Sequence, residues 1–270
     1  MRPPSFLELP ARSGKPRTTG LTHVLDTGVP PAAAAALLAT GAAHVDVWKA
    51  GWGTAYVDPG LPEKVRLLAE GDVGACLGGT LLEIAWAQGK AEECLAWAEE
   101  VGFRYIEVSR GTVPMSLADK HHLVGLAAGR FVVLAEVGSK DPGEQPTPAQ
   151  WRAEAQADLV AGAGLVVTEG RASGTVGTFD AAGRVREDVV AAVVDGVGME
   201  HVIFEAPRPE QQAWFVRRFG PEVNLGNVGL EQLMAVETLR LGLRSDTVRS
   251  DTVRSDTVRW DTAAVGALAR

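Results

Sequence analysis

This chain has few cysteines and no excess of positive charge. Two cysteines, Cys76 and Cys94, occur in 270 residues, too few for a disulfide framework or a four-cysteine zinc site. Asp and Glu outnumber Lys and Arg by 34 to 26, giving a net charge of −8. That charge offers no support for binding nucleic acid or an anionic membrane. We therefore expect no nucleic-acid partner, and free thiols fit a reducing, cytoplasmic setting.

Long apolar runs are also missing. The most apolar stretch, residues 31–43, is shorter than the roughly 20 residues that a membrane-spanning helix needs. The first 17 residues hold no apolar core typical of a signal peptide. The hydrophobic fraction of 46% and the charged fraction of 22% are ordinary for a globular protein and argue against disorder. We expect a soluble protein with no membrane partner.

Eight short apolar runs are present, and most of them end in a polar side chain. The run FVVLAEVGSK, residues 131–140, is typical of a strand buried on both faces. A carboxylate and an amine at the end of such a strand are costly unless they act together. The polar residues that end the other runs include Asp26, Lys49, Glu107, Ser109, Glu169, Arg171, Glu205, Asn224 and Asn227.

Helical segments alternate with these runs at a spacing of roughly 25–35 residues, which is the pattern of parallel βαβ units. One helix is signalled by Thr147, Pro148 and Gln150, which together form a capping box. The fold class predicted is α/β, a single-domain (β/α)₈ TIM barrel. A doubly wound open sheet is the alternative, although no dinucleotide-type glycine fingerprint follows the first strand.

The chain divides into three predicted parts. Residues 1–14 are an N-terminal extension, residues 15–247 the barrel catalytic domain, and residues 248–270 a repeat-bearing C-terminal tail. The motif SDTVR occurs three times in succession within residues 245–259. Its five-residue step matches neither a helix nor a strand, so we expect the extra copies to lie beyond the folded domain.

The carboxyl ends of barrel strands meet at one mouth, where active sites of this fold lie. The predicted metal ligands are the four glutamates that end strands there: Glu107, Glu136, Glu169 and Glu205. Like charges repel, so we expect balancing cations from Lys49, Lys140 and Arg171. A hard divalent metal, most simply Mg²⁺, would complete the balance. Structural pairing of these glutamates with lysines and arginines remains the alternative.

Two other features have mainly structural interpretations. Thr80 and Glu83 have the spacing of a capping box, so Glu83 is expected mainly to close a helix N-terminus. The preceding pair Gly78–Gly79 would expose backbone N–H groups to an anion, a weak signal by itself. The histidines, with no nucleophile elbow, P-loop or HExxH motif beside them, are expected to be non-catalytic.

Several longer motifs resemble the phosphosulfolactate synthase family, in order and at natural spacing from about Lys15 to Thr247. They are KPRTTGLTHVLDTG, DVWKAGWGT, GGTLLEIAWAQGK, EVGSKDP, EGRASG, IFEAP and NLGNV with ETLRLGLRSDT. The resemblance implies a (β/α)₈ lyase that adds sulfite to C3 of phosphoenolpyruvate with Mg²⁺, giving (2R)-phospho-3-sulfolactate. It also implies a homo-oligomer.

The resemblance further implies roles for individual residues. Lys140 holds the position of the family's proton-donating amine, and Lys49 is the second catalytic candidate. Arg171 suits a phosphate or sulfite oxyanion because its guanidinium is a planar fork. The remaining substrate-binding candidates are Gln211, Asn227 and Ser109.

The chain departs from the family pattern at four positions near the mouth. The family reads DKG, SDG, GRESG and EVGKK where this chain has Thr27, Arg110, Ala172 and Ser139. Two alternatives to the implied reaction follow. One is a related lyase that joins another nucleophile to an enol phosphate, and the other is a non-catalytic, stress-associated member of the family.

Overall fold

Eight parallel strands pair in chain order, and the eighth pairs again with the first to close a barrel. The computed structural model describes residues 6–141, 143 and 145–248. The strands are β1 Thr22–Asp26, β2 Val47–Ala50, β3 Gly74–Leu77, β4 Tyr105–Val108, β5 Val132–Val137, β6 Leu165–Thr168, β7 Val202–Glu205 and β8 Asn224–Gly229. All eight predicted strands are confirmed. The open-sheet alternative is wrong, because β1 and β8 are hydrogen-bonded neighbours.

Helices follow every strand and surround the barrel. They are α1 Pro31–Gly41, α2 Thr54–Val57, α3 Leu61–Glu70, α4 Gly79–Ala87, α5 Ala91–Val101, α6 Leu117–Ala127, α7 Pro148–Ala161, α8 Glu187–Val197, α9 Pro209–Phe219 and α10 Leu233–Arg240. Short 3₁₀ helices cover Ala42–His44, Met199–His201 and Leu230–Gln232. None of the helices in the described part of the chain is long and apolar enough to cross a membrane.

The predicted capping box at the start of α7 is confirmed. The Thr147 hydroxyl accepts from the Gln150 backbone N–H, and the Gln150 side chain accepts from the Thr147 N–H. Proline occupies the first helical position, where its missing N–H is not needed. Gly162, in the left-handed region at φ 116°, ends the helix.

The barrel interior is built in layers. One layer is apolar and consists of Leu21, Val47, Cys76, Leu134, Val167 and Ile203. Strand side chains alternate between the two faces, so the residue two positions further on points inward again. Those residues are Lys49 after Val47, Glu136 after Leu134, Glu169 after Val167, and Glu205 after Ile203. The apolar layer therefore supports a charged layer directly above it, nearer the carboxyl ends of the strands.

The opposite end of the barrel is closed by the segment before β1. Arg12 pairs with Glu222 at 3.2 Å and with Glu237 at 3.3 Å. The Ser13 hydroxyl donates to Glu222 at 2.6 Å. Two residues of the predicted N-terminal extension thus contact the barrel.

The last helix also joins the first strand to the last. Arg240 is fully buried and donates to the carbonyls of Pro221 and Val223 at 2.6 Å and of Leu21 at 3.0 Å. The Thr247 hydroxyl, within the first SDTVR copy, donates to the Leu239 carbonyl. Residues 249–270, with the remaining copies and most of the predicted tail, lie outside the described residues.

Candidate active site

A cavity of about 450 Å³ opens at the carboxyl ends of the strands. Gly78, Gly79 and Thr80 form part of its wall, where α4 begins. Eight of the ten predicted site residues line it: Lys49, Glu107, Glu136, Lys140, Glu169, Arg171, Glu205 and Asn227. The sequence therefore located the cavity and most of its charged wall.

Lys49 lies between two carboxylates at the centre of the charged layer. Its Nζ is 2.8 Å from Glu107 Oε2 and 3.1 Å from Glu205 Oε1. Burial works against the ammonium, but the surrounding carboxylates outweigh it and hold the pKa of Lys49 well above its usual range. Lys49 is therefore a fixed positive charge within the site.

The two carboxylates that share Lys49 are not equivalent. Burial would raise the pKa of Glu107, but Lys49 and the Gly79 N–H at 3.0 Å lower it below the usual value. Burial raises the pKa of Glu205, and the lysine does not fully offset that. The Gly170 N–H donates to the second Glu205 oxygen at 2.9 Å. Glu107 is thus the more readily ionised of the pair.

Among the glutamates of the charged layer, Glu169 has the carboxylate whose burial is least offset by hydrogen bonds and nearby cations. One oxygen accepts from the Arg171 backbone N–H at 2.6 Å, and the other is buried with no hydrogen-bond partner. Burial, with Glu136 and Glu205 nearby, raises the pKa of Glu169 well above its usual value. Its second oxygen is available to a ligand or a proton.

Lys140 enters the cavity from the loop after β5. Its Nζ lies 3.1 Å from Glu136 Oε1 and 3.5 Å from Glu83 Oε1. Burial alone would lower the pKa of Lys140, but the carboxylates of Glu136 and Glu169 raise it above the usual lysine value. The side chain is 20% exposed, so its ammonium reaches both the cavity and solvent.

Three of the four predicted metal ligands come together. Oxygens of Glu107, Glu136 and Glu205 lie within 4.8 Å of one another, and all three residues are buried. Carboxylate oxygens are the donors that Mg²⁺ prefers, so this set fits a hard divalent cation. Glu169 lies in the same cavity but outside this group of three.

Arg171 and Asn227 line the cavity with strained backbones. Their φ angles are 53° and 49°, a region that residues with a Cβ seldom adopt. Arg171 is exposed at the rim. Asn227 is buried, its backbone N–H donates to His23 Nδ1 at 3.3 Å, and its Oδ1 has no partner. Both side chains are free to meet a ligand.

Comparison with known proteins decides the family. Residues 10–246 match the family model of (2R)-phospho-3-sulfolactate synthase (ComA). The chain belongs to this family.

Two relatives extend the match over nearly whole chains. The phosphosulfolactate synthase of Methanothermobacter thermautotrophicus is 42% identical over 245 residues, covering 88% of this chain and 95% of that one. The phosphosulfolactate synthase of Bacillus subtilis is 39% identical over 244 residues, covering 89% and 97%. The protein is accordingly an enzyme of the lyase type, acting on small molecules.

A solved structure supports the fold alone. The 3-hexulose-6-phosphate synthase of Salmonella typhimurium superposes with a TM-score of 0.54 at 13% identity, covering 81% of this chain and 97% of that one. The predicted TIM barrel is confirmed both by this likeness and by the closed strand order.

Two predicted substrate-binding residues of this phosphosulfolactate synthase family member lie outside the cavity wall. Gln211 is buried, and its amide donates to the carbonyls of Gly174 at 2.8 Å and Gly183 at 3.1 Å. Its donor groups hold the loop after β6 in place. Ser109 donates its hydroxyl to Glu83 at 2.5 Å. The sequence showed that both residues follow strands, but not that their polar groups are already bonded within the protein.

The predicted capping box at Thr80 is wrong, and Glu83 instead lies beside the cavity-lining Lys140, 3.5 Å from its Nζ. Helix α4 begins two residues earlier, with Gly78 as its N-cap and no side-chain cap. Glu83 is 1% exposed and accepts hydrogen bonds from the loop at residues 109–113. The available signal was a lone acidic residue in the apolar run LLEIAWA.

Of the four departures from the family pattern, Ala172 alone lines the cavity. Arg110 is 3.5 Å from Glu154, and the Ser139 hydroxyl accepts from the Asp141 N–H. Thr27 is exposed. Most of the departures therefore do not alter the cavity wall directly.

Proposed function

We propose that the protein adds sulfite to C3 of phosphoenolpyruvate in a Mg²⁺-dependent reaction that gives (2R)-phospho-3-sulfolactate. The observation that carries the proposal is the layer of two lysines and four buried glutamates around one cavity, in a chain of this family. A volume of about 450 Å³ leaves room for two small anions.

Glu107, Glu136 and Glu205 would hold the Mg²⁺. When bound, the ion supplies positive charge that stabilises the negative charge developing on the substrate carboxylate. The chain provides fixed charge of its own at the same place. Lys49, which stays cationic, favours the same developing charge from within the protein.

Binding two anions requires local cations, because the whole chain carries a net charge of −8. Arg171 at the rim offers a planar fork to a phosphate or sulfite oxyanion. Asn227, on β8, offers a side-chain amide from another part of the cavity wall, and the bond from its backbone N–H to His23 holds it in place. These two residues orient the substrates toward the lysines.

Lys140 is the proposed proton donor. The sulfur lone pair of sulfite forms the bond to C3, and the C2–C3 π electrons move toward C2 and the carboxylate. The Lys140 ammonium then gives its proton to C2 from one face, which sets the R configuration. The raised pKa of Lys140 keeps it protonated beforehand. Its partial exposure lets solvent return the proton afterwards.

The test is direct. The purified protein is mixed with phosphoenolpyruvate, sulfite and Mg²⁺, and sulfite consumption and product formation are followed by titration and NMR. We expect turnover that EDTA abolishes. A Lys140→Gln variant should lose at least about 100-fold in kcat, in keeping with loss of a general acid.

The matched control is Lys90→Gln, which changes an exposed lysine that pairs with Glu93 on the outer surface. It should turn over like the wild type. A folded, Mg²⁺-supplied wild type that consumes no sulfite would overturn the proposal. Turnover of phosphoenolpyruvate with a different nucleophile would instead support the related lyase.

A further inference from the structure

Glu83 gathers an unusual number of donors for one carboxylate. The Ser109 hydroxyl donates to Oε1 at 2.5 Å. Three consecutive backbone N–H groups, those of Gly111, Thr112 and Val113, donate to Oε2 at 3.1, 2.6 and 3.2 Å. Together these bonds tie the loop after β4 to helix α4.

The same carboxylate also faces the proposed proton donor. Lys140 Nζ lies 3.5 Å from Glu83 Oε1. The stem of Lys140 lies over Gly111, since a Cβ added at Gly111 would sit 3.5 Å from Lys140 Cδ. Glu83 therefore supports Lys140 in two ways, through its charge and through the loop beneath the side chain.

We infer that Glu83 is a positioning residue that fixes Lys140 and the loop at residues 109–113 against the cavity. The inference rests on the proposed role of Lys140 as proton donor. A carboxylate that is 1% exposed is costly to bury, and an apolar residue would fill the same place more cheaply. All the donors that compensate Glu83 come from Lys140 and from the segment that includes the cavity-lining Thr112.

Glu83 does not itself line the cavity, so its effect passes through Lys140. A proton donor displaced by a fraction of an ångström delivers its proton less often, whereas a substrate held by other residues still binds. The expected signature is a fall in kcat with little change in KM.

The experiment compares Glu83→Gln with Glu237→Gln. Glu237 is also a buried helical glutamate, at the opposite end of the barrel, where it pairs with Arg12. For Glu83→Gln we expect kcat to fall about 10- to 100-fold while KM for phosphoenolpyruvate changes less than about threefold. Glu237→Gln should leave both parameters close to wild type.

Two readouts do not depend on turnover. Amide exchange in the peptide covering residues 109–116 should speed up in Glu83→Gln, because a neutral Gln has one acceptor oxygen in place of two. That oxygen cannot accept from the Ser109 hydroxyl and from the three backbone N–H groups at once. Lys140 should be acylated faster by an amine-reactive reagent, measured by mass spectrometry without metal. Neither change is expected in Glu237→Gln.

A more conservative variant, Glu83→Asp, keeps the inference testable if Glu83→Gln does not fold. Glu83→Asp keeps the charge but is one methylene shorter, and it should give an intermediate kcat. Unchanged kcat in Glu83→Gln would overturn the inference, as would unchanged exchange and acylation. If the wild type itself fails to consume sulfite, the exchange and acylation results still decide whether Glu83 positions Lys140.

Discussion

Chemically alike carboxylates in the charged layer hold their protons differently, because each has different neighbours. Glu107 has a lysine and a backbone N–H, so its pKa is lowered against its burial. Glu169 has no lysine within bonding distance, so burial and two neighbouring glutamates raise its pKa. Local bonding, rather than residue type, therefore decides which of these groups is ionised.

Lys49 is the residue on which this layer depends most. Replacing it with Met leaves Glu107 and Glu205 buried without their shared cation. We expect the free energy of unfolding to fall by about 3–5 kcal/mol, as for other buried ion pairs that lose one partner. Urea denaturation in EDTA measures this loss.

The control for Lys49→Met is Lys90→Met, which removes an exposed ion pair with Glu93. Its denaturation midpoint should not move measurably. Equal midpoints for both variants would mean that Lys49 does not stabilise the layer.

His23 gives the protein a predictable acid sensitivity. Burial, with Lys49 nearby, lowers the pKa of His23 to about 3, whereas an unfolded histidine titrates near pH 6.5. Between these values the unfolded chain binds one more proton, so the free energy of unfolding falls as the pH falls from about 6.5 toward 3. Above that window His23 contributes no pH dependence.

The variant His23→Asn tests this sensitivity while keeping an acceptor for the Asn227 N–H. Its free energy of unfolding, measured by urea denaturation from pH 7 to 4, should vary less steeply than that of the wild type. The difference should approach about 1.4 kcal/mol per pH unit in the middle of the window. Parallel curves would show that His23 does not cause the sensitivity.

At the scale of elements, the site depends on how closely α4 approaches β4. A Cβ at Gly79 would meet Ser109 Oγ at 2.2 Å and Ser109 Cβ at 2.7 Å. Glycine is therefore required where the helix begins, and the contact holds Ser109 against Glu83. Of the glycine pair noted in the sequence, Gly79 serves this packing, whereas a Cβ at Gly78 would meet the Ala50 carbonyl oxygen at 2.7 Å.

Gly79→Ala should push Ser109 away and destabilise the protein by about 1–3 kcal/mol, with a parallel loss of turnover. Gly125→Ala is the matched change inside α6, where the nearest atom to an added Cβ is 4.0 Å away. It should be neutral or stabilising by up to about 1 kcal/mol, because alanine favours a helix interior. Thermal unfolding compares the two, and equal shifts would contradict the packing argument.

The elements themselves were readable from the sequence, because buried parallel strands are continuous apolar runs and their polar ends share one edge. The capping box at Thr147 was readable for a similar reason, since its two residues are close in the chain. Glu83 was misassigned because its partners, 26 to 30 residues away, are set by tertiary packing. Gln211 was wrongly predicted to bind substrate because its side-chain amide donates to loop carbonyls. A sequence pattern does not show such tertiary contacts.

For the whole molecule, the two ends of the barrel have separate roles. Lysines and glutamates gather at the carboxyl ends of the strands, while Arg12, Glu222 and Glu237 close the other end. In barrels of this type the first end carries chemistry and the second carries stability. The homo-oligomer implied by the family resemblance stays a prediction, which light scattering of the purified chain tests.

Arg12→Met should separate these roles. It removes two ion pairs and the bond to the Gly20 carbonyl, so we expect a loss of about 2–4 kcal/mol in the free energy of unfolding. At a temperature where the variant is folded, kcat and KM should match the wild type. A changed KM would show that a substitution at one end of the barrel alters substrate binding at the other end.

The three carbonyls that Arg240 binds have a consequence for biosynthesis. Leu21 leaves the ribosome more than two hundred residues before Arg240, yet Arg240 holds it to the segment that leads into the last strand. A nascent chain therefore presents unpaired backbone groups along one edge of its first strand until the eighth strand has been made. Closure of the barrel must wait for β8, and the interval before it is when chaperones are most needed.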